Sequence, residues 1–243
     1  MPAGHSIARA LLIGAALALC ACSKNDLRAV NAMADANTVS ISLTDKTASI
    51  DDLAFGASGG ATGIPVGNHR AQLVAVSDLG SMNFVADPVT VARDHVTTVY
   101  AIGRVDAGSG RALVIETQNS DVPSSQTEVQ LINAAAGQAG ALDVYVTAPG
   151  ALLSTQTPLA SLVYSVFTEP LRIAAGTYEI RVTPSGDPST VIYDSGSVGV
   201  ALDAGSRRQI TLLDHLGTGV ASPLTLLFLP QGGSASTLDN GAS

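Results

Sequence analysis

Thr177-Tyr178-Glu179-Ile180-Arg181-Val182 decides the fold class. Tyr178, Ile180 and Val182 project to one side of an extended chain and Glu179 and Arg181 to the other, the period of two that a strand buried on one face requires. The same alternation recurs in Val39-Ser40-Ile41-Ser42-Leu43-Thr44 and in Leu142-Asp143-Val144-Tyr145-Val146-Thr147. Gly, Pro, Asp and Ser clusters punctuate the chain roughly every eight to twelve residues. Helical periodicity is almost absent. One helical turn is expected after Thr157, with Pro158 at its first position and Leu162 on its buried side. The expectation is an all-β chain of antiparallel, immunoglobulin-like β-sandwiches.

Outward from that strand, the landmarks come twice in the same order. Leu27-Arg28-Ala29-Val30-Asn31-Ala32 is echoed by Val129-Gln130-Leu131-Ile132-Asn133-Ala134. Ile64-Pro65-Val66-Gly67 is echoed by Ile173-Ala174-Ala175-Gly176, and Val89-Thr90-Val91 by Val198-Gly199-Val200. Matched landmarks in one order indicate two copies of one fold, at 27–118 and 128–230. The polar, Ser-rich stretch 119–127 between them has the composition of a linker, and the tail 231–243 carries too little apolar surface to order itself.

The leader states where the chain sits. Arg9, with His5, forms a thin positive region and Ala10 to Leu19 an apolar one, the pattern of an export signal over residues 1–21. Leu19-Cys20-Ala21-Cys22 resembles a bacterial lipobox, in which an apolar residue stands three places before the acylated cysteine and a small residue directly before it. Cys22 fits, with Leu19 and Ala21 in those places; Cys20 would put Leu19 where the small residue belongs. The run from Ala10 to Cys22 is shorter than the ~18 residues that cross a bilayer, so anchoring rather than spanning is expected. Residues 22–26 then form a lipidated tether, and Ser23 rather than aspartate after the cysteine favours sorting to the outer membrane.

Without the leader, 11 Lys and Arg face 20 Asp and Glu, a net charge of −9. Nucleic acid is excluded as a partner, because phosphate backbones are bound through clustered cations and the only adjacent pair is Arg207-Arg208. Cys20 leaves with the leader and Cys22 is acylated, so no disulfide is expected and stability must come from core burial.

The second repeat also resembles a known family. Leu142-Asp143-Val144-Tyr145-Val146, the run Leu171 to Val182 around Ala175-Gly176-Thr177-Tyr178, and Leu202-Asp203-Ala204-Gly205 ahead of Gln209-Ile210-Thr211-Leu212 are similar to the secreted and cell-surface family called domain of unknown function 4397. That family commonly opens on a His-Ala-Ser type element, where this chain has Asn133-Ala134-Ala135. The resemblance covers 128–230, and 27–118 more weakly. It implies a fold and a compartment and transfers no catalytic residue.

Candidate chemistry is sparse. Gly56-Ala57-Ser58-Gly59-Gly60 has the spacing of a nucleophile elbow but continues into Ala61-Thr62-Gly63-Ile64-Pro65, which cannot form the helix that elbow needs, so a flexible loop is expected. Tyr193-Asp194-Ser195-Gly196 is read as a turn, and Gly217-Thr218-Gly219 lacks the following helix that would cradle phosphate. His69, His95 and His215 stand singly, and Asp45, Asp51 and Asp52 lack calcium-loop spacing. No catalytic residue, metal or cofactor is expected. With no Trp, 4 Phe and 5 Tyr, sugar-stacking surface is scarce. By parity Asp143 and Tyr145 face away from Leu142, Val144 and Val146, which nominates them as a surface contact for a glycan or protein. The expected function is a membrane-anchored envelope lipoprotein that binds or scaffolds other envelope components without catalysis, with a glycan-binding adhesin or carbohydrate module as the alternative.

Overall fold

Alternating apolar side chains leave each strand with a face to bury, and here they are buried in four stacked sheets. The computed structural model describes residues 26–45, 47–216 and 222–241. Cys22 with the leader, Lys46, and Gly217-Thr218-Gly219 lie outside the described residues. The first repeat comprises β1 (Asp26–Asn31), β2 (Thr38–Leu43), β3 (Ser49–Ala54), β4 (Ser58–Thr62), β5 (Gly67–Ser77), β6 (Gly80–Val91), β7 (His95–Ile102) and β8 (Arg111–Gln118). They form one sheet in the order β4-β1-β7-β8 and another in the order β3-β2-β5-β6.

The second repeat comprises β9 (Gln126–Asn133), β10 (Leu142–Thr147), β11 (Ala160–Leu162), β12 (Leu171–Ala174), β13 (Gly176–Pro184), β14 (Tyr193–Asp194), β15 (Val200–Leu202), β16 (Arg207–Asp214), β17 (Leu224–Pro230) and β18 (Ser236–Leu238). Its sheets run β12-β9-β16-β17-β18 and β11-β10-β13-β14, with β15 also on β13. The plan is that of the first repeat, down to the pairing of the opening strand with the first strand of a late hairpin: β1 with β7, which turns into β8, and β9 with β16, which turns into β17. Those two pairs are parallel, so the sandwiches are not wholly antiparallel. The opposing sheet supplies the long crossover that a parallel pair needs.

The repeated Asn-Ala has a physical reason. Asn31 Nδ2 donates to Leu53 O at 3.0 Å while its Oδ1 accepts from Met33 N at 3.0 Å. Asn133 does the same with Leu162 O and Ala135 N, both at 3.0 Å. In each sandwich one buried side chain thus ties the end of the first strand to the third.

Three cores separate the four layers. Leu27, Ala29, Val39, Ile41, Leu73 and Val99 fill the first sandwich, and Leu131, Val144, Ile180, Val182, Ile210 and Leu226 the second. Between them lies a third core of Val30, Tyr100, Ile102, Ile115 from one sandwich and Ile132, Leu213, Leu227, Leu229 from the other. Leu27 and Ala29 look inward and Val30 outward, so β1 is buried on both faces, as are β7, β9, β16 and β17. The join has approximate two-fold symmetry: Tyr100, opposite Val30, and Thr211, opposite Ile132, hold equivalent places and meet, with Thr211 Oγ1 donating to Tyr100 OH at 3.4 Å. Tyr100 OH donates to Gln209 Oε1 at 2.9 Å. Burial pushes the Tyr100 phenol well above its ordinary range, which keeps it neutral and a donor.

Three expectations are corrected. The stretch 119–127 is not a loose linker: Asn119 N donates to Asp94 O at 2.7 Å, Arg207 binds Gln118 O at 2.6 Å and Ser120 O at 3.1 Å, and β9 already begins at Gln126. The tail 231–243 adds a strand, β18, to β17, because Leu238 finds an apolar place against the second core and Tyr193 OH donates to Leu238 O at 3.0 Å. The helical turn lies earlier than expected, a 3-10 turn at Leu153–Thr155, while Ala160–Leu162 pairs with β10 as a strand.

Candidate functional site

Asp143 and Tyr145 occupy the outward row of β10, as their parity required, and are nevertheless covered, at 5% and 3% exposure. Register sets Asp143 opposite Thr183, Tyr145 opposite Arg181 and Thr147 opposite Glu179, so one polar row crosses β10 and β13. The segment after β10 folds back across that row. Gly150 N donates to Glu179 Oε2 at 2.6 Å, and one Arg181 terminal nitrogen donates to Thr147 Oγ1 at 2.9 Å and Ala151 O at 2.7 Å, with Leu153 buried beside them. Gly186 N donates to Asp143 Oδ2 at 2.9 Å. Burial acts to raise the Asp143 carboxyl, but that amide and the Ser161 and Ser185 hydroxyls outweigh it and leave it below the usual carboxylate range. These residues fasten a loop; they are not an open contact surface.

Ser58 is not in a flexible loop. It opens β4 opposite Val30, and its Oγ accepts from Ala235 N at 2.9 Å. Gly59 is a packing glycine, since a Cβ there would stand 2.4 Å from Ile50 Cγ2. Tyr193-Asp194 is a short strand rather than all turn; Ser195 Oγ accepts from Ile180 N at 2.9 Å, and Gly196 makes the bend at φ 86°. Neither serine is bonded to a histidine.

The histidines remain apart. His69 bridges Asp45 Oδ2 and Pro65 O, both at 2.8 Å, and His95 bonds Arg93 O at 2.8 Å. The Asp45 carboxyl is held low by hydrogen bonds from Thr47 and then by His69. Asp51 accepts from Ser49 Oγ at 2.6 Å. No group of His, Asp and Glu suited to a metal occurs among the described residues. All 4 Phe and 5 Tyr are buried or half-buried.

The opening that geometry does provide lies between the sandwiches, a cleft of about 680 Å³ lined by His95, Glu116, Glu128, Glu169, Arg172 and Arg207, among others. At its floor the buried Glu128 carboxylate receives Arg207 Nε and, at 3.2 Å, Arg172 Nε. Arg207 also donates to Ser120 Oγ at 3.1 Å. With its cations already paired and Glu116 and Glu169 exposed at the rim, the cleft is a polar, solvated seam without an activated nucleophile. The sequence carried a signal for it in Arg207-Arg208, the one arginine doublet, but which strand ends that doublet would bridge depends on how the sandwiches meet.

Residues 25–145 match the family described as domain of unknown function (DUF4397). The match spans the first sandwich and reaches Tyr145 in β10, whereas the likeness legible in the sequence was carried mainly by 128–230. No curated protein matches the chain.

Proposed function

Residues 25–145 belong to the domain of unknown function 4397 family, and we propose that the chain is a lipid-anchored, non-catalytic envelope protein that binds or scaffolds other envelope components. The observation that carries the proposal is the position of Leu19-Cys20-Ala21-Cys22, with only three residues between Cys22 and the first residue of β1. Two or three acyl chains on Cys22, each buried CH₂ contributing about 0.8 kcal/mol, hold a protein on a bilayer almost permanently where one chain does not. Among the described residues no helix is long and apolar enough to cross a membrane. Ser23 directs the anchored protein to the outer membrane. On the outer side of that anchor the chain presents a doubled sandwich with a shared core, a body suited to holding a partner at a fixed height.

Metabolic palmitate labelling tests it. Cys22→Ser is expected to abolish label and maturation together, and Cys20→Ser to leave both intact. Label persisting in Cys22→Ser overturns the assignment. Ester or peptide turnover by purified protein, lost in Ser58→Ala, would overturn the non-catalytic half.

A further inference from the structure

Both sandwiches turn the same end toward the tether. Arg207, which opens β16, reaches Gln118 at the end of β8, and Gln118 pairs with His95, the first residue of β7; β1, β7, β9 and β16 therefore start together. Cys22 stands four residue steps before Asp26, so at most about 14 Å of extended chain separates an acylated Cys22 from the head of β1. The loops at that end lie within reach of whatever surface holds the lipid.

Exposed apolar side chains occur at both ends, Leu79, Val163, Val166, Val191 and Leu216 at the far one, and it is the tether that singles out those on the near loops. Val66, 55% exposed, is in the turn between β4 and β5 beside Thr62, which pairs with Asp26. In the second sandwich Leu152 is 71% and Val198 92% exposed. Thr147 pairs with Glu179 and Val200 with Tyr178, so the segments carrying Leu152 and Val198 both leave the sheet beside the first residues of β13. They are neighbours: a Cβ on Gly199 would stand 3.3 Å from Pro149 Cγ. Leu79, 81% exposed, lies at the opposite end on the β5–β6 hairpin and serves as the control. In the tether-end turn between β6 and β7 the exposed Arg93 is offset by Asp94. With Glu116, Glu169 and Asp203 also exposed at this end, a zwitterionic lipid surface suits such a base better than an anionic one.

We propose that this end of the molecule is a membrane-docking base, in which Val66, Leu152 and Val198 enter the interfacial layer of the bilayer that holds Cys22 and keep both sandwiches flush with it. The base rests on the lipid anchor proposed above, and its test is built to be read separately from that anchor. Cys22 is the only thiol of the mature chain, so the chain from Cys22 onward can be coupled to a maleimide lipid in phosphatidylcholine vesicles whether or not cells acylate it. The chain has no tryptophan, so Leu152→Trp, Val198→Trp, Val66→Trp and Leu79→Trp each introduce a single fluorophore.

On coupling, emission from positions 152, 198 and 66 is expected to shift to the blue and to be quenched by brominated acyl chains, and emission from 79 to do neither. Quenching at 152 and 198 no stronger than at 79 overturns the base, as does quenching at 66 alone. Hydrogen exchange on the unsubstituted protein gives a second reading: coupling is expected to slow exchange in 149–152 and 196–199, and unchanged exchange there overturns the proposal even if a Trp variant folds poorly. Failure of palmitate labelling in cells would remove the anchor and leave this result standing.

Discussion

Asn31 and Asn133 show how a repeat visible in sequence becomes energy. Each side chain is buried and serves a carbonyl of the third strand and one amide, Asn31 also reaching Ala36 O at 3.5 Å. Asn133→Ala leaves Leu162 O and Ala135 N without partners in a closed site, a loss of about 1–3 kcal/mol for an orphaned polar group. A urea midpoint that falls accordingly, and equally for Asn31→Ala, is the expected measurement. Asp214 makes the opposite kind of statement. Burial raises its carboxyl pKa, against the Gly137 amide, which donates to its two oxygens at 3.1 and 2.8 Å, and against nearby Arg104. A carboxyl raised in the folded state binds its proton more tightly there than in the unfolded chain, so its charged form costs stability at neutral pH. That cost is relieved as pH falls through the raised value toward 3.8. Asp214→Asn is therefore expected to compare best with wild type at neutral pH and to lose ground in urea titrations as pH is lowered through that window.

Strands were legible where one face is apolar, and less so where a second layer covers the other. In β13 the alternation of Ile180 and Val182 against Glu179 and Arg181 named the inward face, but Glu179 is buried as well, because the loop after β10 brings Gly150 N to its carboxylate. The same blindness placed Asp143 and Tyr145 on a surface, since parity tells which way a side chain points and not what lies beyond it. β18 was missed because its order comes from β17 and Tyr193, partners distant in sequence. Glu179→Ala, harmless on an exposed face, is expected to lower the thermal midpoint measurably by freeing the Gly150 segment. Arg207 is the larger case: it joins β16 to Glu128 in β9 and to Gln118 and Ser120 at the end of the first sandwich. Arg207→Met leaves the buried Glu128 carboxylate with the half-exposed Arg172 as its one cation and is expected to cost up to about 3 kcal/mol, with Arg207→Met/Glu128→Met recovering part of it. Equal losses in the single and double variants would show that the backbone contacts, not the ion pair, hold the junction.

At the scale of the molecule, the two sandwiches behave as one body because they share the third core. Near-continuous apolar runs at Val99-Tyr100-Ala101-Ile102 and Leu226-Leu227-Phe228-Leu229 were its trace in the sequence, for a strand covered on both faces has no polar parity to show. Read alone, residues 128–230 hold a full set of strands, enough for an independent domain. Cut out, they expose Ile132, Leu213, Leu227 and Leu229 on one face, and that face is two-fold related to the one it has lost. The fragment 126–241 is therefore expected to self-associate and to unfold at lower urea than the same residues in the intact chain, while the intact chain unfolds in a single transition. Tyrosine ellipticity in the near ultraviolet can follow both, since Tyr100 lies in the shared core and Tyr193 in the second sandwich's own core. Leu227→Asp places an unpaired charge at the join and is expected to split the intact chain's transition in two while breaking up the fragment's oligomer. A monomeric fragment with the intact chain's midpoint, indifferent to that substitution, would mean that the sandwiches merely touch.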